Sequence, residues 1–191
     1  MKMKSLRTTI VAFSFVASAL GAQATPAPAP NAADVAFMQG MIMHHGQAIE
    51  MVALIGTRST NPVLKSLGER IDVSQKDDIV MMGRWLRDHH VAPSGHEGMD
   101  MGGHEMLMPG MLTAAQMTAL AKARGAEFDR RFLTGMIQHH EGALTMVKDL
   151  FATTGAAQPT EIFRFASDVD ADQRAEITRM RALLATKARR K

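Results

Sequence analysis

The sequence predicts an all-α protein, a four-helix bundle built from two repeated helical hairpins. Three observations favour this fold class: a repeated segment, apolar positions at helical spacing, and no convincing strand pattern. The repeat reads Asp-x-x-Phe-x-x-x-Met-x-x-His-His-x-x-Ala-x-x-Met and occupies residues 34–51 and 129–146. With one further residue, ten of nineteen positions are identical, where average residue usage predicts about one. Such a repeat indicates a duplicated structural unit.

Residues 1–24 are predicted to be a signal peptide that is cleaved after Ala24. Three basic residues precede an apolar run at 10–20, and Ala22-Gln23-Ala24 supplies the small residues of a cleavage site. The run is too short to span a bilayer, and the absence of cysteine excludes a lipoprotein anchor and disulfides. We therefore expect a periplasmic or secreted protein without a stable membrane anchor.

The charge of the mature chain argues against a nucleic-acid partner. The full sequence has 22 Lys and Arg against 19 Asp and Glu. Three of the basic residues and none of the acidic ones lie in residues 1–24, which leaves 19 − 19 = 0 for the mature chain. Because nucleic-acid binding requires an excess of positive charge, no such function is expected.

A Pro/Ala-rich spacer, residues 25–31, precedes a single bundle domain that is expected over residues 32–188. In the first helix Asn31 is the expected N-cap and Gly56 the expected stop. In a short later helix Thr113 and Gln116 form a capping box, and Gly125 is the expected stop. The predicted helices cover residues 32–55, 62–88, 113–124, 126–154 and 159 to nearly the end.

The second helices of the two halves also match, which makes the duplicated unit a hairpin of two long helices. Here the offset is 98 residues instead of the 95 of the first helices, so the second hairpin carries a three-residue insertion in its turn. Two such hairpins would bury their apolar stripes against each other about a pseudo-two-fold axis. The matched residues are Asp72, Gln75, Lys76, Asp78, Ile79 and Met82, paired with Asp170, Gln173, Arg174, Glu176, Ile177 and Met180.

Each repeat places two histidines between two methionines on one side of a helix. Histidine imidazoles and methionine thioethers are metal ligands, whereas a core alone would be filled more cheaply by leucine or phenylalanine. A single copy would be interpreted as a hydrogen-bonded core histidine with methionine as filler. Because the pattern is doubled, we predict a metal site. Its candidate ligands are Met41, His44, His45, Met51, Met136, His139, His140 and Met146.

The ligand types favour copper. Thioethers with imidazoles and no thiolate suit Cu(I) and, by analogy, Ag(I), while imidazoles alone would also hold Cu(II) or Zn(II). The expected partners are therefore copper or silver ions, together with other periplasmic copper-handling proteins.

The connection at residues 89–111 concentrates the same ligand types among glycines, so we predict a flexible loop that captures copper as an accessory site. The alternative is a solvated linker whose composition carries no function. Its candidate ligands are His89, His90, His96, Met99, Met101, His104, Met106, Met108 and Met111.

The doubled motif, the link Met-Pro-Gly-Met at 108–111 and the segment at 125–129 resemble the CopM-like family, long described as a domain of unknown function in the ferritin-like group. The resemblance covers residues 34–184. It implies a ferritin-like bundle and periplasmic or secreted copper binding in copper tolerance, with ligands at the motif positions of both repeats.

Three functions compete at this point. A non-enzymatic copper buffer or chaperone fits the ligands best. A ferritin-like oxidase or iron store needs a Glu-x-x-His motif, which this chain does not contain. A metal-free interaction module would use its histidines as pH sensors. Since no nucleophile–base signature is present, we expect no enzymatic activity.

Overall fold

The computed structural model describes residues 30–93 and 107–188, and all regular structure in these residues is helical. The predicted all-α, ferritin-like four-helix bundle is confirmed. No described helix is both long enough and apolar enough to cross a membrane. The helices are α1 (Ala32–Ala53), α2 (Ile55–Arg58), α3 (Pro62–Asp88), α4 (Ala114–Lys122), α5 (Gly125–Ala152) and α6 (Thr160–Ala188). The signal peptide and most of the spacer lie outside the described residues.

The helix starts follow the predicted caps, because each depends on side chains close in sequence. Asn31 accepts a hydrogen bond from the Ala33 amide at the start of α1. Asn61 does the same for Val63 ahead of Pro62, and Thr113 forms the predicted capping box with Gln116 at the start of α4. These caps satisfy backbone amides that have no partner within a helix.

Two predicted helix stops are wrong. Gly56 lies inside α2, which continues from α1 after a tightened turn at Leu54 and ends before Ser59. The Ser59 hydroxyl donates to the Asp129 carboxylate, so a contact 70 residues away ends this segment. Gly125 does not stop α4, which ends at Lys122; with a φ of +56° it begins α5. Glycine permits this left-handed conformation without steric cost.

The two hairpins, α1 with α3 and α5 with α6, meet mainly where α1 crosses α5. A Cβ added to Gly40 would lie 3.4 Å from the methyl carbon of Met146, and one added to Gly135 would lie 3.3 Å from that of Met51. Gly40 and Met51 occupy the same repeat positions as Gly135 and Met146. The crossing is therefore antiparallel and has the predicted pseudo-two-fold symmetry.

A reciprocal pair of carboxylates ties each hairpin to the turn of the other. Asp34 accepts a hydrogen bond of 2.7 Å from the amide of Ala157, in the turn between α5 and α6. Its repeat equivalent, Asp129, accepts from the Ser59 hydroxyl and from Asn61 Nδ2 ahead of α3. Both aspartates are buried, so these bonds offset part of the cost of desolvating them; Asp34 Oδ2 is buried without a hydrogen-bond partner. The motif aspartate thus has a structural role in both halves.

Two apolar clusters fill the bundle, one toward each end. The first contains Phe37, Met41 and Met82, and the second contains their repeat equivalents Phe132, Met136 and Met180. Along each of the four long helices, buried polar side chains separate the residues of one cluster from those of the other. The middle of the bundle is therefore a buried polar layer. Its members are His44, His45, Gln75, His139, His140, Gln173 and Glu176.

Residues 107–112 correct the prediction of a uniformly flexible connection, because they pack against the bundle. Gln47 donates to the Leu112 carbonyl at 2.9 Å and accepts from the Leu112 amide at 2.7 Å. Gly110, with a φ of +75°, and Pro109 lie directly on the backbone of α5 at Gly142. The link predicted as part of a mobile loop is thus a fixed turn between α1 and α5.

We expect Gly142→Ala to destabilise the fold, because the added Cβ would overlap the Pro109 carbonyl. Overpacking of this kind costs about 1–3 kcal/mol, measurable as a lower free energy of unfolding in urea. Gly46→Ala is the matched control, since a Cβ there meets nothing within 4 Å. It should leave stability unchanged or raise it by up to about 1 kcal/mol. Equal effects of the two substitutions would contradict this close backbone contact.

Candidate metal centre

The four motif histidines are brought together in the buried layer, as the sequence predicted. Their exposed fractions do not exceed 1%. The rings of His44 and His139 lie across the α1–α5 crossing with centroids 3.8 Å apart. His45 and His140 flank this pair, at 6.5 Å from His44 and 6.2 Å from His139, respectively.

His44 and His139 each donate a hydrogen bond from Nε2 to a backbone carbonyl. His139 Nε2 lies 2.9 Å from the carbonyl oxygen of His44, which joins α5 to α1. His44 Nε2 lies 2.9 Å from the carbonyl oxygen of Pro109, in the turn that packs on α5. Because a carbonyl only accepts, both rings carry their proton on Nε2.

His45 and His140 each pair with a carboxylate on the second helix of their own hairpin. His45 Nε2 lies 3.1 Å from Asp78 Oδ2, and His140 Nε2 lies 2.5 Å from Glu176 Oε2. Asp78 and Glu176 were not predicted as site residues from the sequence. A signal was present, because these carboxylates occupy matched positions in the two halves. A carboxylate that holds one ring nitrogen orients the other nitrogen toward a metal in many metal sites.

The Nδ1 atoms of all four histidines are buried and have no hydrogen-bond partner. Burial lowers the pKa of His44 to about 4, against the opposing effect of its bond to the Pro109 carbonyl. Burial also lowers the pKa of His139, and the neighbouring histidines act in the same direction. These two rings are therefore neutral at pH 7, and each presents an unprotonated Nδ1 lone pair. A buried acceptor without a donor is costly, and a bound cation would remove that cost.

The candidate methionines fall into two pairs related by the pseudo-symmetry. Met51 and Met146 lie against Gly135 and Gly40 at the helix crossing. Met41 and Met136 are fully buried, each in a different apolar cluster. Thioethers therefore lie on both sides of the histidine layer.

Among the described residues, no group of three or more His, Asp or Glu side chains is placed to hold one metal ion. A site made only of imidazoles and carboxylates is therefore not assembled in this part of the chain. The unpartnered nitrogens fit a soft cation that takes few ligands, with thioethers completing the set.

The accessory candidates divide into three groups. His89 caps the end of α3, with its Nδ1 2.8 Å from the Trp85 carbonyl, and His90 follows it in a left-handed conformation. Met108 and Met111 belong to the packed turn, and a Cβ added to Gly40 would lie 3.2 Å from Met108 Sδ. Met108 thus lies near the bundle site. The remaining candidates, His96, Met99, Met101, His104 and Met106, lie outside the described residues.

Residues 34–184 match the family described as Domain of unknown function (DUF305). The chain belongs to the DUF305 family. No protein of curated function gives a significant match.

Solved DUF305 structures share this fold. A DUF305 protein from Streptomyces coelicolor is 29% identical with a TM-score of 0.70, over 82% of this chain and 94% of its own. A DUF305 fragment from Deinococcus radiodurans is 27% identical with a TM-score of 0.71, over 83% of this chain and 99% of its own.

CopM is a similar protein whose structures contain bound metal ions. Its Cu(I)-bound form is 29% identical to this chain with a TM-score of 0.62, over 80% of this chain and 96% of its own. CopM structures also include Cu(II)-bound, silver-bound and apo forms.

Acidification should destabilise the fold between pH 6.5 and about 4. The folded-state pKa of His44 is the lower one, so the unfolded chain takes up its proton first as the pH falls. The free energy of unfolding is therefore unaffected by this group above pH 6.5 and falls as the pH drops below it. By pH 4 the loss from His44 is on the order of 3 kcal/mol. His139 acts in the same direction.

Unfolding midpoints in urea from pH 7 to pH 4.5 would measure this loss. His44→Gln should flatten the dependence on pH. His90→Asn should preserve it, because His90 is exposed and asparagine tolerates its left-handed backbone. Parallel pH profiles for the parent chain and His44→Gln would contradict the assignment of a neutral buried imidazole.

Proposed function

We propose that this chain is an exported, non-enzymatic copper-binding protein that buffers, sequesters or delivers Cu(I) in copper tolerance. The observation that carries the proposal is the layer of four buried histidines whose Nδ1 atoms have no partner. CopM, a relative with the same fold, has been solved with Cu(I), Cu(II) and silver. The predicted signal peptide supports a periplasmic or secreted location, as does a relative provisionally described as secreted.

In this proposal the buried histidines and the flanking methionines form the tight site. Asp78 and Glu176 hold the Nε2 protons of His45 and His140, which leaves their Nδ1 atoms available to the ion. His44 and His139 are held in the same tautomer by backbone carbonyls. The proposed ligands are the motif residues Met41, His44, His45, Met51, Met136, His139, His140 and Met146.

The His/Met-rich connection is the accessory copper-capturing segment of the proposal. Its composition supports weaker binding, because a glycine-rich chain must be ordered around each ion. Met108 belongs to this connection in sequence, but its sulfur lies at the α1–α5 crossing beside Gly40. We therefore assign Met108 to the tight site.

A ferritin-like oxidase is less well supported. The buried layer contains four histidines and one carboxylate, Glu176, and the sequence has no Glu-x-x-His motif, whereas a di-iron centre is built mainly from carboxylates. The unpartnered acceptors of the layer favour a soft ion as cargo.

Replacing His44, His45, His139 and His140 by Gln should abolish the tight Cu(I) site. Glutamine stays polar but lacks the Nδ1 donor, so we expect affinity to fall by about 100-fold or more, about 2.7 kcal/mol. Competition against a coloured Cu(I) chelator measures the loss, and circular dichroism checks that the helices remain. Glu50→Gln, at an exposed position outside both sets of candidate ligands, is the control. Unchanged affinity in the fourfold variant would show that the layer is not the copper site.

The methionines should decide selectivity between soft and borderline ions. Met51→Leu with Met146→Leu preserves core volume, and should weaken Cu(I) and Ag(I) by about tenfold, about 1.4 kcal/mol, with little effect on Zn(II). Met41→Leu with Met136→Leu tests the second pair in the same way. If both double variants bind Cu(I) like the parent chain, the methionines only fill the core.

A further inference from the structure

The outer helices of the two hairpins, α3 and α6, leave two grooves between them, one on each side of the bundle's middle. The first, here the acidic groove, has a volume of about 600 Å³, and its charged lining residues are Asp78, Arg84, Asp88, Glu161 and Asp168. The second, here the basic groove, has a volume of about 530 Å³, and its charged lining residues are Arg70 and Arg179.

The duplication relates the two grooves to each other. At the offset of 98 residues, Asp168 in the acidic groove corresponds to Arg70 in the basic groove, and Phe165 corresponds to Leu67. Four carboxylates and one arginine give the acidic groove a net charge of 1 − 4 = −3, whereas two arginines give the basic groove +2. Equivalent positions of one fold have therefore acquired opposite charge.

Of the two grooves, only the acidic one is lined by a residue that forms a hydrogen bond with a histidine of the layer. Asp78 lines it, and the same carboxylate accepts the hydrogen bond from buried His45 Nε2. The equivalent carboxylate, Glu176, is less exposed, 11% against 30% for the Asp78 side chain, and does not line the basic groove. A cation in the acidic groove thus reaches a carboxylate bonded to an imidazole whose Nδ1 has no partner.

The chemistry of the acidic groove suits the passage of a soft cation more than its retention. Asp172 is exposed on α6, and its pKa is raised by partial desolvation and further by the charges of Glu176, Asp78 and Asp168 around it. These carboxylates do not converge into a group that could hold an ion. The groove is also lined by the Met81 thioether and the Trp85 indole, which interact favourably with soft or cationic ligands.

We propose that the acidic groove is the path by which copper or silver cations reach the buried histidine layer, and that the basic groove is not a route because its lining does not reach the layer. Clefts lined by one sign of charge raise the local concentration of the opposite ion and its rate of association. This inference rests on the proposed function, because it assigns a route to the site that would hold the ion.

The test compares loading rates in variants that leave the layer intact. Ag⁺ in chloride-free nitrate buffer is the probe, and stopped-flow fluorescence of Trp85, the chain's single tryptophan, reports its association. Glu161→Gln with Asp168→Asn should slow association by about threefold to tenfold at low ionic strength. Glu161 and Asp168 lie on the proposed route and are not proposed ligands, so their replacement should leave the bound state unaltered. Dissociation by the same route should then slow by a similar factor, and the affinity measured by isothermal titration should stay within about twofold of the parent value. Added nitrate should reduce the difference in rates.

Two controls match this variant. Glu50→Gln with Asp149→Asn makes the same change in net charge at exposed positions that line neither groove, and should load like the parent chain. Arg70→Gln with Arg179→Gln neutralises the basic groove and should also load at the parent rate, since that groove does not reach Glu176.

Three outcomes would overturn the inference. Equal rates for the acidic-groove variant and the exposed control would show that charge in the groove does not guide the ion. Faster loading of the arginine variant would show that the basic groove is also a route. If the parent chain binds neither Ag⁺ nor Cu(I), the proposed function fails and the route with it. If the parent chain binds Ag⁺ tightly and the acidic-groove variant loads at the parent rate, the proposed function stands and only the route is refuted.

Discussion

The structure depends on the antiparallel crossing of α1 and α5, where two glycines let the helices approach closely. Gly40 and Gly135 lie against the methionines of the opposite repeat, and the rings of His44 and His139 lie in contact beside them, with their centroids 3.8 Å apart. His139 then donates directly to the backbone carbonyl of His44. Because this contact lies on the pseudo-two-fold axis, it places both copies of the motif in one layer and sets the positions of the outer helices that carry Asp78 and Glu176.

The duplication explains the symmetry of the layer, and the connection between the hairpins explains why the two central histidines have unequal partners. His45 and His140 have equivalent carboxylate partners. His44 and His139 do not have equivalent partners, because the Pro109 carbonyl supplies the acceptor for His44 alone. Only one connection joins the two hairpins, so only one side of the axis can receive it. Gly142 makes room for that connection, whereas its repeat equivalent, Gln47, holds the end of the same turn.

The fold could be predicted from the sequence wherever the determining contacts are local or repeated. Helix α3 begins at Pro62 and ends at Asp88 as predicted, and the capping box at Thr113 forms as its pattern indicates. The stop at Gly56 was wrong because Asp129, distant in sequence, fixes the chain at Ser59. Local propensity describes what a segment permits, while this boundary is set by tertiary hydrogen bonds.

For the candidate site, the repeat identified the histidines and methionines but not the residues that orient them. Asp78 and Glu176 were recognised as matched positions, yet nothing in the pattern connected them to His45 and His140, 33 and 36 residues away. That connection requires the packing of each hairpin. The acceptor for His44 is a backbone carbonyl, which carries no side-chain signature in any sequence.

The polar layer is costly to the fold, and this cost bears on its role. Histidines with unpartnered Nδ1 atoms occupy positions where apolar side chains would continue the two clusters into one core, and such a core would be more stable. Both halves have nevertheless kept the paired histidines, the carboxylate partner and the buried glutamine, while their outer grooves diverged to opposite charge. A requirement of folding alone would favour the opposite outcome, with an apolar layer and no constraint on the histidines. In the function proposed above, the features kept in both halves are those that would present a lone pair to the cation, and the groove charge that diverged would set the side from which the cation approaches.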